Sequence, residues 1–287
     1  MKDIAISPRI QSWAVHIFWG LALSSLLACQ TVPEPEKNTE RPPSRAHAHN
    51  DYEHPRPLFD ALDKGFASVE ADIHLVDGAL LVAHDADEVS PTRTLQSLYL
   101  DPLRKRFREN NGKLTPSGEP LILLVDFKTA AEPTYRALEL VLESYRNLLT
   151  NYQGDHILPG ALSVIISGNR PINTLAAQTH RWAAIDGRLP DLVQNSVPPS
   201  LIPLVSDNWK NHFTWEGTGP CPPSEQQKLK SLVNRAHEQE RLIRFWGNPD
   251  QESYWRLARQ VGVDLINTDN LSGLSSFLES SSESGRE

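Results

Sequence analysis

Short apolar runs alternate with longer amphipathic segments through most of this chain. We count eight such runs, and they are RAHAH, SVEADIHL, LILLVDF, LSVIISG, WAAID, LIPLVSD, RLIRFW and DLINTD. The segments between them, such as EPTYRALELVLESYRNLL and SEQQKLKSLVNRAHEQERL, place apolar residues at helical spacing. Eight strand–helix units of this length predict an α/β fold, a (β/α)8 TIM barrel over residues 46–275, with an open doubly wound sheet as the alternative.

Polar residues recur two positions apart at the ends of these runs. The pairs are His47/His49, Glu70/Asp72, Asp126/Lys128, Ser167/Asn169, Asp186/Arg188, Arg244/Trp246 and Asn267/Asp269. Side chains two apart on a strand share a face, and the C-terminal rim of a TIM barrel is where catalytic side chains from several strands meet. Any one pair is also explained by an ordinary turn after a strand. Seven consecutive pairs favour a common polar site in the barrel mouth.

Three carboxylates are candidate ligands of a cation. Glu70 and Asp72 lie two apart in one run, so on a strand they are about 7 Å apart along one face. Asp126 belongs to the end of the third run. Carboxylate oxygens suit hard ions, so we predict one divalent cation, Mg²⁺ or Ca²⁺, with coordination positions left for substrate phosphate oxygens. Lys128 beside Asp126 is placed to hold phosphate charge.

Two histidines are candidate acid–base groups near these carboxylates. His49 ends the first run, and His84 follows LLVA after an Asp-Gly turn, which predicts a short strand returning to the same end of the barrel. Imidazole both accepts and donates protons near neutrality. Two imidazoles beside a metal suit phosphodiester cleavage, because one takes a proton from the attacking oxygen and the other protonates the leaving oxygen. We expect His47 to hold Glu70 or Asp126 in place, with a solvated position as the alternative.

Four stretches of the sequence resemble a known superfamily. They are HAHNDY, PLFDAL followed by GFASVEADIHLVDGALLVAHD, IRFWG and INTDNL. They resemble the glycerophosphodiester phosphodiesterase and phosphatidylinositol-specific phospholipase C superfamily, whose members are TIM barrels, and most nearly the altered inheritance of mitochondria protein 6 family. The resemblance implies catalytic roles for His49 and His84, metal-ligand roles for Glu70, Asp72 and Asp126, and a phosphate and substrate pocket that includes Lys128 and Trp246.

Two positions depart from the pattern of glycerophosphodiesterases. Those enzymes usually follow the first histidine with Arg-Gly, whereas Asn50 and Asp51 stand here. We therefore count Asn50 among the substrate-binding candidates, together with Arg170 and Arg244, either of which is placed to replace the missing arginine. The third metal ligand is often a glutamate, and Asp126 is shorter. These departures concern the substrate more than the class of reaction.

The first residues have the composition of a targeting segment. An apolar run over residues 14–29 is too short to cross a bilayer and predicts a signal peptide over residues 1–28. Its end resembles the lipobox of bacterial lipoproteins, in which Cys29 is acylated. This predicts an exported protein of the bacterial cell envelope with a lipid anchor, and a secreted or periplasmic soluble protein is the alternative. Residues 29–45 and 276–287 are predicted to be disordered.

The net charge and the residue types at the strand ends argue against several classes of partner and function. A formal net charge of −8 argues against a nucleic-acid partner. We expect the substrate to be a small-molecule or lipid phosphodiester. We also expect a monomer that contacts the membrane only through its lipid anchor. A non-catalytic envelope barrel that binds a phosphate ligand needs no pair such as His49 and His84. An amidohydrolase-type site on His47, His49 and Asp269 would need further histidines at the middle strands, where ISGN, AIDG and VSDN supply none.

Overall fold

The computed structural model describes residues 45–194 and 196–283, in which strands and helices alternate. The strands are β1 Arg45–Ala48, β2 Ser68–Val76, β3 Ala79–Val82, β4 Leu121–Phe127, β5 Asn151–Gln153, β6 His156–Leu158, β7 Leu162–Gly168, β8 His180–Arg181, β9 Ala183–Gly187, β10 Leu204–Asn208, β11 Leu242–Trp246 and β12 Leu265–Thr268. The helices are α1 Phe59–Leu62, α2 Asp101–Glu109, α3 Ala131–Glu143, α4 Ile172–Ala177, α5 Leu189–Gln194, α6 Pro223–Glu238, α7 Glu252–Val261 and α8 Leu271–Glu283.

Eight parallel strands close into a barrel. The order runs β1, β12, β11, β10, β9, β7, β4, β2, and β1 also pairs with β2, so the sheet has no open edge between its first and last members. The prediction of a (β/α)8 TIM barrel is confirmed, and the open doubly wound alternative is wrong. β3 returns antiparallel along the C-terminal half of β2, while β5, β6 and β8 form a separate small sheet.

The barrel interior holds a small apolar core of its own. It consists of Ile122, Leu124, Ile165, Leu204 and Leu265, apart from the larger core between the sheet and the helices. Because successive strand residues alternate between faces, Leu124 points inward and Leu123 outward toward the helices. The next inward position on β4 is Asp126. On the inner face of β4, the apolar Leu124 is therefore followed two residues later by the polar Asp126. This change from apolar to polar marks where the candidate site begins.

The C-terminal segment differs from our prediction of disorder. α8 continues to Glu283, and Phe277 is 7% exposed with its ring centroid 5.9 Å from that of Trp255 on α7. The prediction of a disordered tail from residue 276 is therefore wrong for residues 276–283, because a buried aromatic contact holds that helix. Residues 1–44, with the predicted signal peptide, most of the tether and Cys29, lie outside the described ranges. Within those ranges, no helix combines the length and apolar composition needed to cross a membrane.

Candidate active site

The C-terminal ends of β2 and β4 bring three carboxylates together. One oxygen from each of Glu70, Asp72 and Asp126 lies within 4.8 Å of the other two. The parallel pairing of the strands explains this, since Asp72 is aligned with Asp126 in the register of β2 and β4. Glu70 and Asp72 are buried and Asp126 is partly exposed. Within the described residues, this is the sole grouping of histidine, cysteine and acidic side chains close enough to share a metal ion.

The carboxylate of Asp72 provides a direct test of whether this cluster fits a cation. Its Oδ2 receives Tyr52 Oη at 2.7 Å and lies 2.9 Å from Lys128 Nζ, whereas Oδ1 is buried with no hydrogen-bond partner. Burial raises the pKa of Asp72, and the charge of Glu70 raises it further. An unpartnered carboxylate oxygen among other acids fits a hard divalent cation, which takes oxygen ligands.

Glu70 is held by two neighbours at one of its oxygens. Its Oε2 accepts a bond from Arg244 Nη1 at 2.8 Å and lies 3.1 Å from His47 Nε2. Although burial opposes it, the charge of Arg244 and the hydrogen bond from His47 hold the pKa of Glu70 well below its usual range. Since both bonds use Oε2, Oε1 is the atom that can turn toward a cation.

His47 supports Glu70 from inside the barrel. Its Nδ1 lies 2.7 Å from Ser68 Oγ, and its Nε2 contacts both Glu70 and Arg244. Burial and the nearby charge of Arg244 lower the pKa of His47 to about 4. The ring is therefore neutral at pH 7, and the expectation that His47 holds Glu70 agrees with these contacts, whereas the solvated alternative does not.

Arg244, which we predicted to bind substrate, lies inside the barrel. It reaches from β11 across the barrel to β2, and only 3% of its side chain is exposed. Its guanidinium is engaged by Glu70 and His47. Its role in substrate binding stays a prediction, and the structure adds a contact through which the guanidinium holds Glu70.

His49 lies on one side of the mouth and is anchored by an aspartate. Its Nδ1 is 2.8 Å from Oδ1 of Asp269, which follows β12. Burial opposes protonation, but the hydrogen bond and charge of Asp269 raise the pKa of His49 above its ordinary value. The anchored Nδ1 leaves Nε2 as the nitrogen available to a reacting group. Among the described residues, His47, His49 and Asp269 do not form a group close enough to share a metal ion, which counts against the amidohydrolase alternative.

His84 lies on another side of the cluster, at the end of the β2–β3 hairpin. The turn is Asp77-Gly78, and both residues have positive φ, of 48° and 81°, as a tight hairpin turn requires. The return brings His84 Nδ1 to 3.2 Å from Asp72 Oδ2 and 3.2 Å from Tyr52 Oη. About half of the His84 side chain is exposed.

An arginine-rich group lies beside the carboxylates, after β7 and β9. Buried Asp186 accepts bonds from Ser167 Oγ and Arg188 Nη1, both at 2.9 Å, and Arg170 Nη1 donates to the backbone oxygen of Asp186 at 2.5 Å. The guanidinium carbon of Arg188 lies 4.9 Å from the ring centroid of Trp246. Trp246 is thus a half-buried wall of the mouth on which Arg188 stacks.

The remaining predicted substrate residues divide into two groups. Lys128 bridges Asp72 and Asp126, at 2.9 and 3.2 Å, so it lies inside the cluster. Asn50 adopts a left-handed conformation with φ of 44°, and its side chain donates to Glu53 of its own loop at 3.3 Å. Asn50 therefore shapes the turn after β1, and its role in substrate binding stays a prediction.

Sequence reasoning assigned no role to Tyr52 and Arg188, and it named Asp269 only for the amidohydrolase alternative, whereas the structure brings all three into the mouth. Asp269 and Arg188 belong to the strand-end pairs, so the spacing contained a signal for their position. Tyr52 lies in a loop, where no periodicity reports which way a side chain faces.

A cavity of about 680 Å³ begins at Gly247, the residue that follows Trp246 in the chain. It is lined by segments that follow β10 and β11, including Trp209, Lys210, Trp215 and Gly247. Its position at the ends of these strands gives the mouth room for a group larger than a phosphate.

Comparison with known proteins identifies the family to which this sequence is similar. The sequence profile of a family described as AIM6-like phosphodiesterase domain matches residues 38–186, and that of the glycerophosphoryl diester phosphodiesterase family matches residues 243–272. An altered inheritance of mitochondria protein 6 homolog from Arthroderma benhamiae is 27% identical over 82% of this chain and 84% of that protein. The altered inheritance of mitochondria protein 6 of Eremothecium gossypii is 28% identical over 82% and 69%.

A solved structure agrees with the barrel fold. A glycerophosphodiester phosphodiesterase from Parabacteroides distasonis superposes with a TM-score of 0.51 over 84% of this chain and 98% of that chain, at 16% sequence identity. At this identity the likeness supports the TIM-barrel fold alone.

The relatives also correct our localisation prediction. The similar proteins named altered inheritance of mitochondria protein 6 come from fungi, which points away from a lipid-anchored protein of a bacterial cell envelope. That prediction depended on a resemblance of four residues ending at Cys29, a signal short enough to arise without lipidation.

Proposed function

Because this chain belongs to the AIM6-like phosphodiesterase domain family, we propose that it is a metal-dependent phosphoric diester hydrolase that uses two-histidine acid–base catalysis. The substrate class is a glycerophosphodiester or a phospholipid-type diester. The observation that carries the proposal is the cluster of Glu70, Asp72 and Asp126, with one oxygen of each within 4.8 Å of the others, beside two anchored imidazoles.

Glu70, Asp72 and Asp126 would hold the cation, Mg²⁺ or Ca²⁺. When bound, such an ion supplies charge stabilisation to oxygens of the reacting phosphoryl group. The carboxylates also set the charge of their neighbour Lys128. Although burial opposes it, the charges of Asp72 and Asp126 raise the pKa of Lys128, so this ammonium stays charged beside an incoming phosphate.

His49 and His84 would move the protons. Each ring is anchored through Nδ1, His49 on Asp269 and His84 on Asp72, so each presents Nε2. One ring must begin neutral and take a proton from the attacking oxygen, and the other must begin charged and protonate the leaving oxygen.

The arginine-rich group would orient the substrate. Arg188 is stacked on Trp246 and keeps part of its side chain exposed, 24% by area. A planar guanidinium matches two oxygens of a phosphate or carboxylate. The cavity that begins at Gly247 would take the alcohol part of the diester.

The test is hydrolysis by the purified full chain. We expect turnover of bis(p-nitrophenyl) phosphate and of a glycerophosphodiester with Mg²⁺ or Ca²⁺, and loss of turnover with EDTA. His49→Asn and His84→Asn should each lower kcat about 10²–10⁴-fold. His156→Asn is the matched control, because that histidine is exposed on the small sheet. Phosphorus NMR identifies the product as cyclic or hydrolysed.

Other outcomes would contradict the proposal. Turnover that is insensitive to both EDTA and His49→Asn would show that neither the cluster nor the imidazole takes part. Tight binding of phosphodiesters without turnover across a broad panel would favour the non-catalytic alternative.

A further inference from the structure

Tyr52 is a buried residue whose hydroxyl touches two parts of the proposed machinery. It lies in the short turn after β1 and is 3% exposed. The hydroxyl donates to Asp72 Oδ2 at 2.7 Å, and its oxygen lies 3.2 Å from His84 Nδ1. One phenol group therefore connects a candidate metal ligand to a candidate acid–base group.

The direction of these bonds has a consequence for His84. Because the hydroxyl proton goes to Asp72, the Tyr52 oxygen is an acceptor toward the imidazole. Asp72 Oδ2, 3.2 Å from Nδ1, is an acceptor as well. Two acceptors at one nitrogen favour a proton on Nδ1, which leaves Nε2 as the reactive position. A half-exposed ring with fewer such bonds would rotate more freely.

The same hydroxyl restricts the carboxylate of Asp72. With Oδ2 occupied by Tyr52 and Lys128, the carboxylate is kept from turning, and Oδ1 remains the oxygen without a partner. Partners that orient a metal ligand in this way commonly affect metal affinity as strongly as activity.

The loop around Tyr52 is fixed by its neighbours. Buried Asp51 accepts bonds from Leu58 N at 2.5 Å and Tyr99 Oη at 2.9 Å, and Arg93 Nη2 donates to the backbone oxygen of Tyr52 at 2.6 Å. Leu58 has a φ of 67°, a conformation that non-glycine residues adopt only when their surroundings hold them. The loop is thus built to keep Tyr52 in one place.

We infer that Tyr52 is a positioning residue, which sets the ring orientation and tautomer of His84 and the orientation of Asp72 through its hydroxyl. This inference rests on the proposed phosphodiesterase function. Tyr52 acts through its two neighbours and contacts no reacting atom itself.

The experiment compares the full chain with its Tyr52→Phe variant, which keeps the buried ring and removes the hydroxyl. We expect kcat to fall about 10–100-fold, with KM within about twofold and a higher Mg²⁺ concentration needed for half-maximal rate. In ¹⁵N-histidine NMR spectra of the metal-free protein, the His84 ring signals should change from a single Nδ1–H tautomer to an exchange average. A His84→Asn spectrum assigns those signals.

Tyr135→Phe is the matched control. Tyr135 on α3 is 1% exposed, and its hydroxyl donates to Gln178 Oε1 at 2.6 Å, so this variant likewise removes a buried, hydrogen-bonded hydroxyl. A similar shift in Tm with unchanged kcat and unchanged His84 signals is expected. Should Tyr52→Phe not fold, Arg93→Gln loosens the loop while keeping the hydroxyl, and it should broaden the His84 signals and lower kcat a few-fold.

The possible results separate the two proposals. Unchanged His84 signals, or an equal loss of kcat in Tyr135→Phe, would overturn the role of Tyr52. If the wild-type chain hydrolyses no phosphodiester, the proposed function fails, and the NMR comparison still decides whether Tyr52 holds His84.

Discussion

The β2 and β4 side of the barrel mouth, with Glu70, Asp72 and Asp126, differs from the neighbouring β7 and β9 side, with Asp186 and Arg188. We call these the acidic side and the arginine side. Each has a fully buried aspartate, Asp72 or Asp186, whose Oδ1 has no hydrogen-bond partner and whose pKa is raised mainly by burial. Equal burial of the same residue type therefore does not by itself make a metal site.

The difference is in the charges around each aspartate. On the acidic side, the single ammonium of Lys128 contacts two carboxylates, Asp72 and Asp126. On the arginine side, the guanidinium of Arg188 donates to the carboxylate of Asp186, and that of Arg170 donates to the backbone oxygen of the same residue. Repulsion among carboxylates favours a cation on the first side, whereas an excess of donors favours an anionic group of the substrate on the second.

The largest effect is expected from exchanging the buried aspartates for asparagine. Asp72→Asn removes a charge from the proposed cation site and should lower Mg²⁺-dependent kcat by about 100-fold or more, with weaker Mg²⁺ binding by calorimetry. Asp186→Asn should leave Mg²⁺ affinity unchanged, because its carboxylate belongs to Arg188 and Ser167. Equal losses of Mg²⁺ affinity in the two variants would remove the distinction between the sides.

A smaller effect is expected from Arg188→Gln. Loss of one charge-assisted contact to an anionic substrate should raise KM about tenfold and leave the Mg²⁺ concentration for half-maximal rate unchanged. Arg188→Lys should recover part of the loss by keeping the charge without the planar fork. Arg56→Gln, at an exposed arginine paired with Asp60, is the control. A KM unchanged by Arg188→Gln would mean that the arginine side does not bind substrate.

The smallest effect on activity is expected from Asp51→Asn, in the loop that carries Tyr52. Burial raises the pKa of Asp51 from 3.8 to about 6. Because the folded-state pKa is the higher one, the stabilising contribution is present below about pH 4 and is lost as pH rises toward 6. The free energy of unfolding of Asp51→Asn, relative to wild type, should therefore rise by about 2 kcal/mol between pH 4 and pH 7.

Urea unfolding of both proteins at the two pH values measures this change. Asparagine keeps an acceptor for Leu58 N and Tyr99 Oη, so kcat should stay within about twofold of wild type. If the difference in unfolding free energy between Asp51→Asn and wild type is the same at both pH values, the pKa of Asp51 is not raised by folding.

Most residues of the candidate site could be predicted from the alternation of side chains along the strands. An alternation of two fixes which residues of a strand face inward, so Glu70, Asp72 and Asp126 were predictable, and β4 and β7 have the bounds of the runs LILLVDF and LSVIISG. Periodicity predicts which face of a strand a side chain lies on, but it does not predict which residue of another strand that side chain contacts. The reach of Arg244 to Glu70, over a sequence separation of 174 residues, depends on barrel closure and was not predictable.

The loops and the chain ends could not be predicted either, because their structure depends on individual contacts rather than on a repeating pattern. Tyr52 is aimed by contacts of Asp51 and Arg93 in a segment without regular spacing. α3 ends at Glu143, although the amphipathic pattern continues to residue 149, because the following residues form turns that lead to β5. The final helix gains its stability from Phe277, a single aromatic in a serine-rich stretch that composition alone describes as disordered.

The span of Arg244 across the barrel has a consequence for how the protein is made. A ribosome releases Glu70 174 residues before Arg244, and His49 220 residues before Asp269. A nascent chain therefore carries Glu70 without the guanidinium that contacts it until β11 has been synthesised. Contacts between residues this far apart in sequence form late in folding. A product that terminates before β11 would lack both a strand that closes the sheet and the guanidinium that contacts Glu70.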